Sequence, residues 1–181
     1  MAGRSTRSLA IISVQRYKCE CCGQWHEGPP SIGAEHPMHY YAIPQSERAS
    51  RCATTSETCE VDGEAFYVYG CIEIPVQGTE DVISYGAWVS LSKPNFERFV
   101  ELLNVEHRDG EEPFFAWVSD PVPTYPSFEH LKSRLHLRNH GIRPYIELEP
   151  TEYPLAVEQR DGAPQSRVQQ LFKWVESRND G

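Results

Sequence analysis

The chain lacks a long apolar run. No segment approaches the ~20 consecutive apolar residues that span a bilayer. The stretch Leu9-Ala10-Ile11-Ile12 is shorter than the ~7–15-residue core of a signal peptide, and no small-residue cleavage pattern follows it. Positive charge is scarce: 17 Lys and Arg stand against 26 Asp and Glu, for a net charge of −9. That balance argues against a nucleic-acid partner, which needs clustered Lys and Arg, and offers no attraction to an anionic membrane. Internal repeats, heptads and low-complexity tracts are missing too. So are the Gly-x-Ser-x-Gly elbow, the phosphate-binding glycine loop, the dinucleotide fingerprint and the His-Glu-x-x-His pair, so no motif names a reaction.

What is present is the composition of a globular domain, 39% apolar and 24% charged over 181 residues. We read residues 1–14 as a loose leader and residues 15–178 as one domain. The expected location is the cytoplasm, where thiols stay reduced. The six cysteines are then metal ligands or core residues rather than a disulfide set.

Periodicity sets out the elements. From Ala65 to Val76, Phe66, Val68, Ile72 and Ile74 alternate with Tyr67, Tyr69, Cys71 and Glu73, as a half-buried strand requires. Gly78-Thr79-Glu80-Asp81 is a turn, and Val82 to Leu91 returns antiparallel. Ser92 caps a helix with Pro94 in its first turn and Phe96, Phe99, Val100 and Leu103 on one face. Phe114 to Val118 is another strand, followed by an extended stretch held by Pro121, Pro123 and Pro126. Residues 131–149 read as a hairpin turning at His140-Gly141. The register that buries its leucines also sets Arg134 against Glu147 and Lys132 against Glu149, each pair adding about 0.2–1 kcal/mol. A short helix is expected from Pro44, and a final one from near Pro164 with Val168, Leu171, Phe172 and Val175 at helical spacing. The sum is an α+β fold, an antiparallel sheet with helices packed on one face.

Cys19 and Cys22, followed by Gly23 and His26, carry the clearest chemical signal. Two thiolates two residues apart form half of a tetrahedral zinc site, and glycine after the second permits the tight turn. A second Cys-x-x-Cys is missing, so the other ligands come from isolated positions. Cys59 and Cys71 are the preferred pair. His26 competes with them, because it lies close behind Cys22. The same two cysteines also suit a thiol-redox pair, although Gly23 and Gly28-Pro29-Pro30 oppose the helix that such motifs open. Elsewhere, His36 and His39 read as loop histidines on the surface. His136, Glu149, Glu158 and Arg160 offer a hydrolase-type polar cleft if they converge. The bland reading of Lys132, Arg134, His136 and Arg138 is a solvated salt-bridged face. The leading expectation is a zinc-stabilised binding or regulatory module with a protein or small-molecule partner.

Several strings extend this reading. They are Cys19-Glu20-Cys21-Cys22-Gly23-Gln24-Trp25-His26, Tyr41-Ala42-Ile43-Pro44 and Gly70-Cys71-Ile72-Glu73-Ile74-Pro75-Val76, then Trp88-Val89-Ser90-Leu91-Ser92, Glu147-Leu148-Glu149-Pro150-Thr151 and Pro154-Leu155-Ala156-Val157-Glu158-Gln159-Arg160. In these the chain resembles the bacterial domain-of-unknown-function family 2199, over roughly residues 17–175. Tyr153 and Tyr69 depart from that pattern, standing where a histidine and an arginine are expected. The resemblance implies a shared architecture and no reaction.

The zinc expectation is checked by elemental analysis of purified protein. One equivalent per chain supports it. Less than about a tenth of an equivalent, with thermal stability unchanged by chelator, removes it.

Overall fold

In the computed structural model, which describes residues 16–18, 25–128 and 130–179, the centre is one long hairpin. β6 (Ala65–Pro75) and β7 (Val82–Leu91) pair antiparallel along their lengths, from Phe66↔Leu91 to Pro75↔Val82. The alternation seen in the sequence is the cause: Phe66, Val68, Ile72 and Ile74 are all buried on one face. Each strand is then shared between two neighbours on its outer side. β6 pairs with β5 (Thr58–Val61) through residues 65–68 and with β10 (Tyr145–Leu148) at Cys71. β7 pairs with β8 (Phe114–Val118) at Val89 and Ser90, and with β3 (Ile32–Gly33) at Tyr85 and Gly86.

β9 (Leu131–His136) lies between β8 and β10. The strands β6, β7, β8, β9 and β10 therefore close into a five-stranded barrel, with β4 (Cys52–Thr54) outside β5. This corrects the expected antiparallel sheet, since β10–β6 and β3–β7 are parallel. β1 (Arg16–Lys18) and β2 (Trp25–Glu27) form a separate antiparallel pair. Residues 1–14 and the knuckle residues Cys19 and Cys22 lie outside the described residues.

The β9–β10 hairpin has the expected register, with Arg134↔Glu147 and a Lys132–Glu149 contact of 3.9 Å. Its strands stop earlier than expected, at His136 and Tyr145, and Ile142 is exposed in the loop between them. Inward side chains of the barrel strands join α3 (Lys93–Leu102), α4 (Pro154–Asp161) and α5 (Gln165–Asn179) in one apolar core. α3 begins as its cap predicts, the Ser92 hydroxyl accepting from the Asn95 N–H, and sets Phe96 5.0 Å from Phe66 at one end of β6. α4 sits at the other end, where the Ala163 N–H donates to the Pro75 carbonyl. The buried Arg108 donates to the Leu102, Leu103 and Arg138 carbonyls, a cation placed at the negative end of α3.

A segment with two short helices lies by a second, smaller core. α1 (Met38–Ala42) and α2 (Arg48–Arg51) belong to the segment between β3 and β4. Ile43 from this segment packs with Cys59, Val61 and Trp88 in that core. The sequence reading assigned no helix between the hairpin and Pro164, whereas α4 is a helix of eight residues.

α4 completes the barrel in an unusual way. Beyond Tyr145, β10 no longer pairs with β6. The Gln159 side chain fills the gap: its Oε1 accepts from the Leu148 N–H and its Nε2 donates to the Ile146 carbonyl, both at 2.8 Å. One amide thus stands in for a strand. Gln159→Leu is expected to cost about 2 kcal/mol in urea denaturation, because both backbone groups lose their partners. Gln159→Glu should fall between the two, since it accepts from Leu148 but has no proton for Ile146. An unchanged stability in both variants would contradict this role.

Candidate functional site

Where β8 ends at Val118, the chain turns away from β7, and β3 pairs with β7 further along. Between them lies a cleft of about 730 Å³, within the size range of small-ligand sites. Its floor is Tyr85, Gly86 and Ala87 of β7, one wall is residues 32–41, and the other is residues 120–125 with Trp174 and Arg178 of α5. The floor depends on glycine. The Tyr69 hydroxyl lies against Gly33 and Gly86, and a Cβ at either would overlap it. The Trp88 indole N–H donates to the Ala34 carbonyl at 3.1 Å, which anchors the first wall.

Two polar groups in the lining are incompletely satisfied. Asp120 is only 5% exposed. Its Oδ1 accepts from the Met38 N–H at 2.9 Å, joining the two walls, while Oδ2 is buried without a partner among the described residues. Burial pushes the Asp120 carboxyl up to about 6, and the Met38 hydrogen bond opposes this only in part. His36 is half-buried, with its ring 4.0 Å from that of Tyr40, and its Nδ1 likewise has no partner among the described residues. Buried polar atoms in folded proteins nearly always have partners, so two such atoms on residues of one cleft single that cleft out.

The second wall is held from behind. Thr124 has a left-handed backbone, φ 71°, which for a β-branched residue costs of order 1–3 kcal/mol. Arg167 of α5 donates to the Thr124 carbonyl at 2.6 Å, and the Tyr85 hydroxyl meets the Thr124 hydroxyl at 3.2 Å. Arg167 also grips Glu158 of α4 with two hydrogen bonds, 3.0 and 2.7 Å, and the Tyr125 hydroxyl donates to the same carboxylate at 2.6 Å. The Arg167 guanidinium lies 4.2 Å from the Tyr125 ring centroid. This largely buried pair has geometry that favours an ion pair.

The residues singled out from sequence go to different places. Cys59 is fully buried, and burial raises its thiol to about 12. It lies opposite Tyr67, four residues along β6 from Cys71. That separates Cys59 and Cys71 by about 13 Å, whereas sulfurs on one zinc lie about 4 Å apart. The two do not serve one ion, which corrects the expected four-cysteine set. Among the described residues no group of three or more His, Cys, Asp or Glu is placed to hold a metal. Cys19 and Cys22, as metal ligands or as a redox pair, lie outside the described residues. His26 is described only as backbone in β2.

The hydrolase-type cleft does not assemble. His136 pairs with Glu147 at 2.7 Å, Glu149 faces Lys132, Arg160 pairs with Asp161, and Glu158 is held by Arg167 and Tyr125. With Arg138 bonded to Glu73 at 2.7 Å, Lys132, His136 and Arg138 all lie in ion pairs, although Glu147 bonds His136 rather than Arg134 opposite it. Tyr153, where the family pattern suggests histidine, donates its hydroxyl to the Pro126 carbonyl. His39 meets the Tyr67 hydroxyl at 3.0 Å. The sequence reading missed Asp120 and left His36 among surface histidines. Only the prolines that follow Asp120 hint at a rigid wall, and nothing local marks its carboxylate as buried.

Fold and cleft together define a small α+β barrel protein with a ligand-sized pocket at the edge of the barrel. The chain belongs to the domain-of-unknown-function family 2199, described as an uncharacterized protein conserved in bacteria, whose family model matches residues 18–163. No curated protein and no solved structure matches the chain significantly. No helix among the described residues is long and apolar enough to cross a membrane.

The raised Asp120 carboxyl has a signed consequence. It binds its proton more tightly folded than unfolded, so it lowers stability progressively as pH rises from its ordinary 3.8 to about 6. Of its neighbours, Cys59 and Tyr67 are pushed upward and titrate well above this window. Asp120→Asn keeps an acceptor for Met38 and removes the charge. Urea denaturation should show the variant gaining on wild type between pH 4.5 and pH 7.5. An equal difference at both pH values would rule this out.

Proposed function

We propose that this protein is a small-ligand-binding module of the bacterial cytoplasm, with the cleft beside β7 as its site. The observation that carries this reading is a ligand-sized cleft two of whose lining residues, Asp120 and His36, each bury a polar atom that has no partner among the described residues. Binding is favoured over catalysis by how the lining hydroxyls are used. Tyr85 and Thr124 bond each other, and Tyr125 bonds Glu158, so these groups position the wall. A regulatory role fits the same geometry, because Asp120 and Met38 join two walls that come from distant parts of the chain. The free thiols of Cys52, Cys59 and Cys71 are compatible with a reducing compartment. A structural zinc on Cys19, Cys22 and His26 remains part of the proposal, with the Cys59–Cys71 pair excluded from it.

A fragment library screened by NMR on isotope-labelled full-length protein tests the cleft. Hits should shift the amide signals of Gly33, Gly86, Ala87, Asp120 and Thr124 together and compete with one another. Saturable hits that map only to other surfaces, or no hits at millimolar concentrations, would overturn the reading.

A further inference from the structure

The outer face of the barrel carries a second recess, which shares no lining residue with the cleft beside β7. Its volume is about 340 Å³, at the lower end of the range for small-ligand sites. Three strands contribute to it in rows. Phe115 of β8 stands opposite Arg134 of β9, and Arg134 stands opposite Glu147 of β10. Paired strands lie about 4.8 Å apart, so an aromatic, a cationic and an acidic position follow one another across about 10 Å.

The charges do not pair as this order suggests. Glu147 bonds His136 at 2.7 Å, and Glu149 lies 3.9 Å from Lys132. Arg134 is left exposed, with no hydrogen bond or ion pair among the described residues. Phe115 is 50% exposed although it lies inside its strand. Its ring meets the Trp117 ring at right angles, 5.5 Å away, and among the described residues no cation lies over it. The Trp117 ring, by contrast, is taken by the Lys132 ammonium at 5.9 Å. An open guanidinium beside an uncovered ring is matched by a carboxylate on a flat apolar body. The arginine fork fits both oxygens of a carboxylate, and aromatic rings pack edge to face or offset. We propose that this recess binds a small aromatic carboxylate, whose oxygens accept from the Arg134 guanidinium and whose ring packs on Phe115. The anion then lies between β8 and β9, with the β10 glutamates on the far side of Arg134 and each already engaged. This site is separate from the cleft, and neither reading depends on the other.

The test compares molecules of one shape and opposite charge. 3-Phenylpropionate and 3-phenylpropan-1-amine are titrated separately into the full chain at pH 7.5 and low salt, followed by NMR. The carboxylate should shift the amides of Phe115, Arg134 and Leu148 saturably and bind at least about tenfold more tightly than the amine. Arg134→Gln should weaken it about tenfold, and Arg134→Lys about threefold, since the charge stays but the fork is lost. Phe115→Ser should also weaken it about threefold, through loss of the ring contact. Arg134 makes no hydrogen bond or ion pair that the fold relies on, and the comparison of the two probes on wild type needs no variant. Equal or tighter binding of the amine, or unchanged carboxylate affinity in Arg134→Gln, overturns the assignment. So does the absence of shifts at this recess at millimolar carboxylate, including the case in which the shifts fall only at the cleft beside β7.

Discussion

A barrel of five short strands has to be closed somewhere, and in this protein a side chain closes it. β10 touches β6 at a single register position and then diverges, and the Gln159 amide takes over the next backbone donor and acceptor. A seam left open there would expose a buried carbonyl and N–H to no partner at all. The consequence reaches well beyond the seam. Fixing Gln159 fixes the rotation of α4, which directs the adjacent Glu158 toward Arg167 and Tyr125. Arg167 in turn holds the Thr124 carbonyl, and with it the wall that carries Asp120. The cleft is thus positioned by a chain of contacts that starts at the barrel closure.

The cleft departs from the rules that the rest of the molecule obeys. Elsewhere most ionised side chains pair at the surface, as Arg51 does with Glu47 and Asp62, or Arg98 with Glu101 and Glu111, and the buried Arg108 is satisfied by three carbonyls. Such exposed pairs are worth little individually. At the cleft a β-branched residue takes a left-handed backbone and a carboxylate is buried without a counter-charge among the described residues. Strain and unpaired polarity of this kind are costs that persist only where surrounding structure enforces them. Here the enforcing structure is identifiable, in the buried Arg167–Glu158 pair and the Met38–Asp120 hydrogen bond.

Much of the barrel was legible in the chain. The β6–β7 hairpin, the cap at Ser92, the strand from Phe114 and the register of Arg134 against Glu147 all follow from alternation, capping and turn residues. These are signals between neighbours in sequence or across one turn. The parallel contacts of β10 with β6 and β3 with β7 carry no such signal, since their partners lie far apart in the chain. The short elements α1, β4 and β5 were overlooked for a related reason: pieces of three to five residues do not establish a period. α4 was not expected because its polar half, Glu158 to Asp161, looks solvated until Gln159 and Glu158 are seen to face inward partners.

The candidate site divides along the same line. Composition and motif spacing establish an acidic α+β chain without a catalytic signature, and a Cys19–Cys22 pair suited to a metal, because those properties reside in residue type and short separations. The failure of Cys59 and Cys71 to meet follows from strand register, which counts residues along β6 from Tyr67 to Cys71. The pairing of Asp120 with Met38 spans 82 residues, and no local pattern foretells it. Burial of the Asp120 carboxylate arises only when the wall after β8 folds against the segment after β3, since a side chain's solvent and charge environment is a property of everything packed around it.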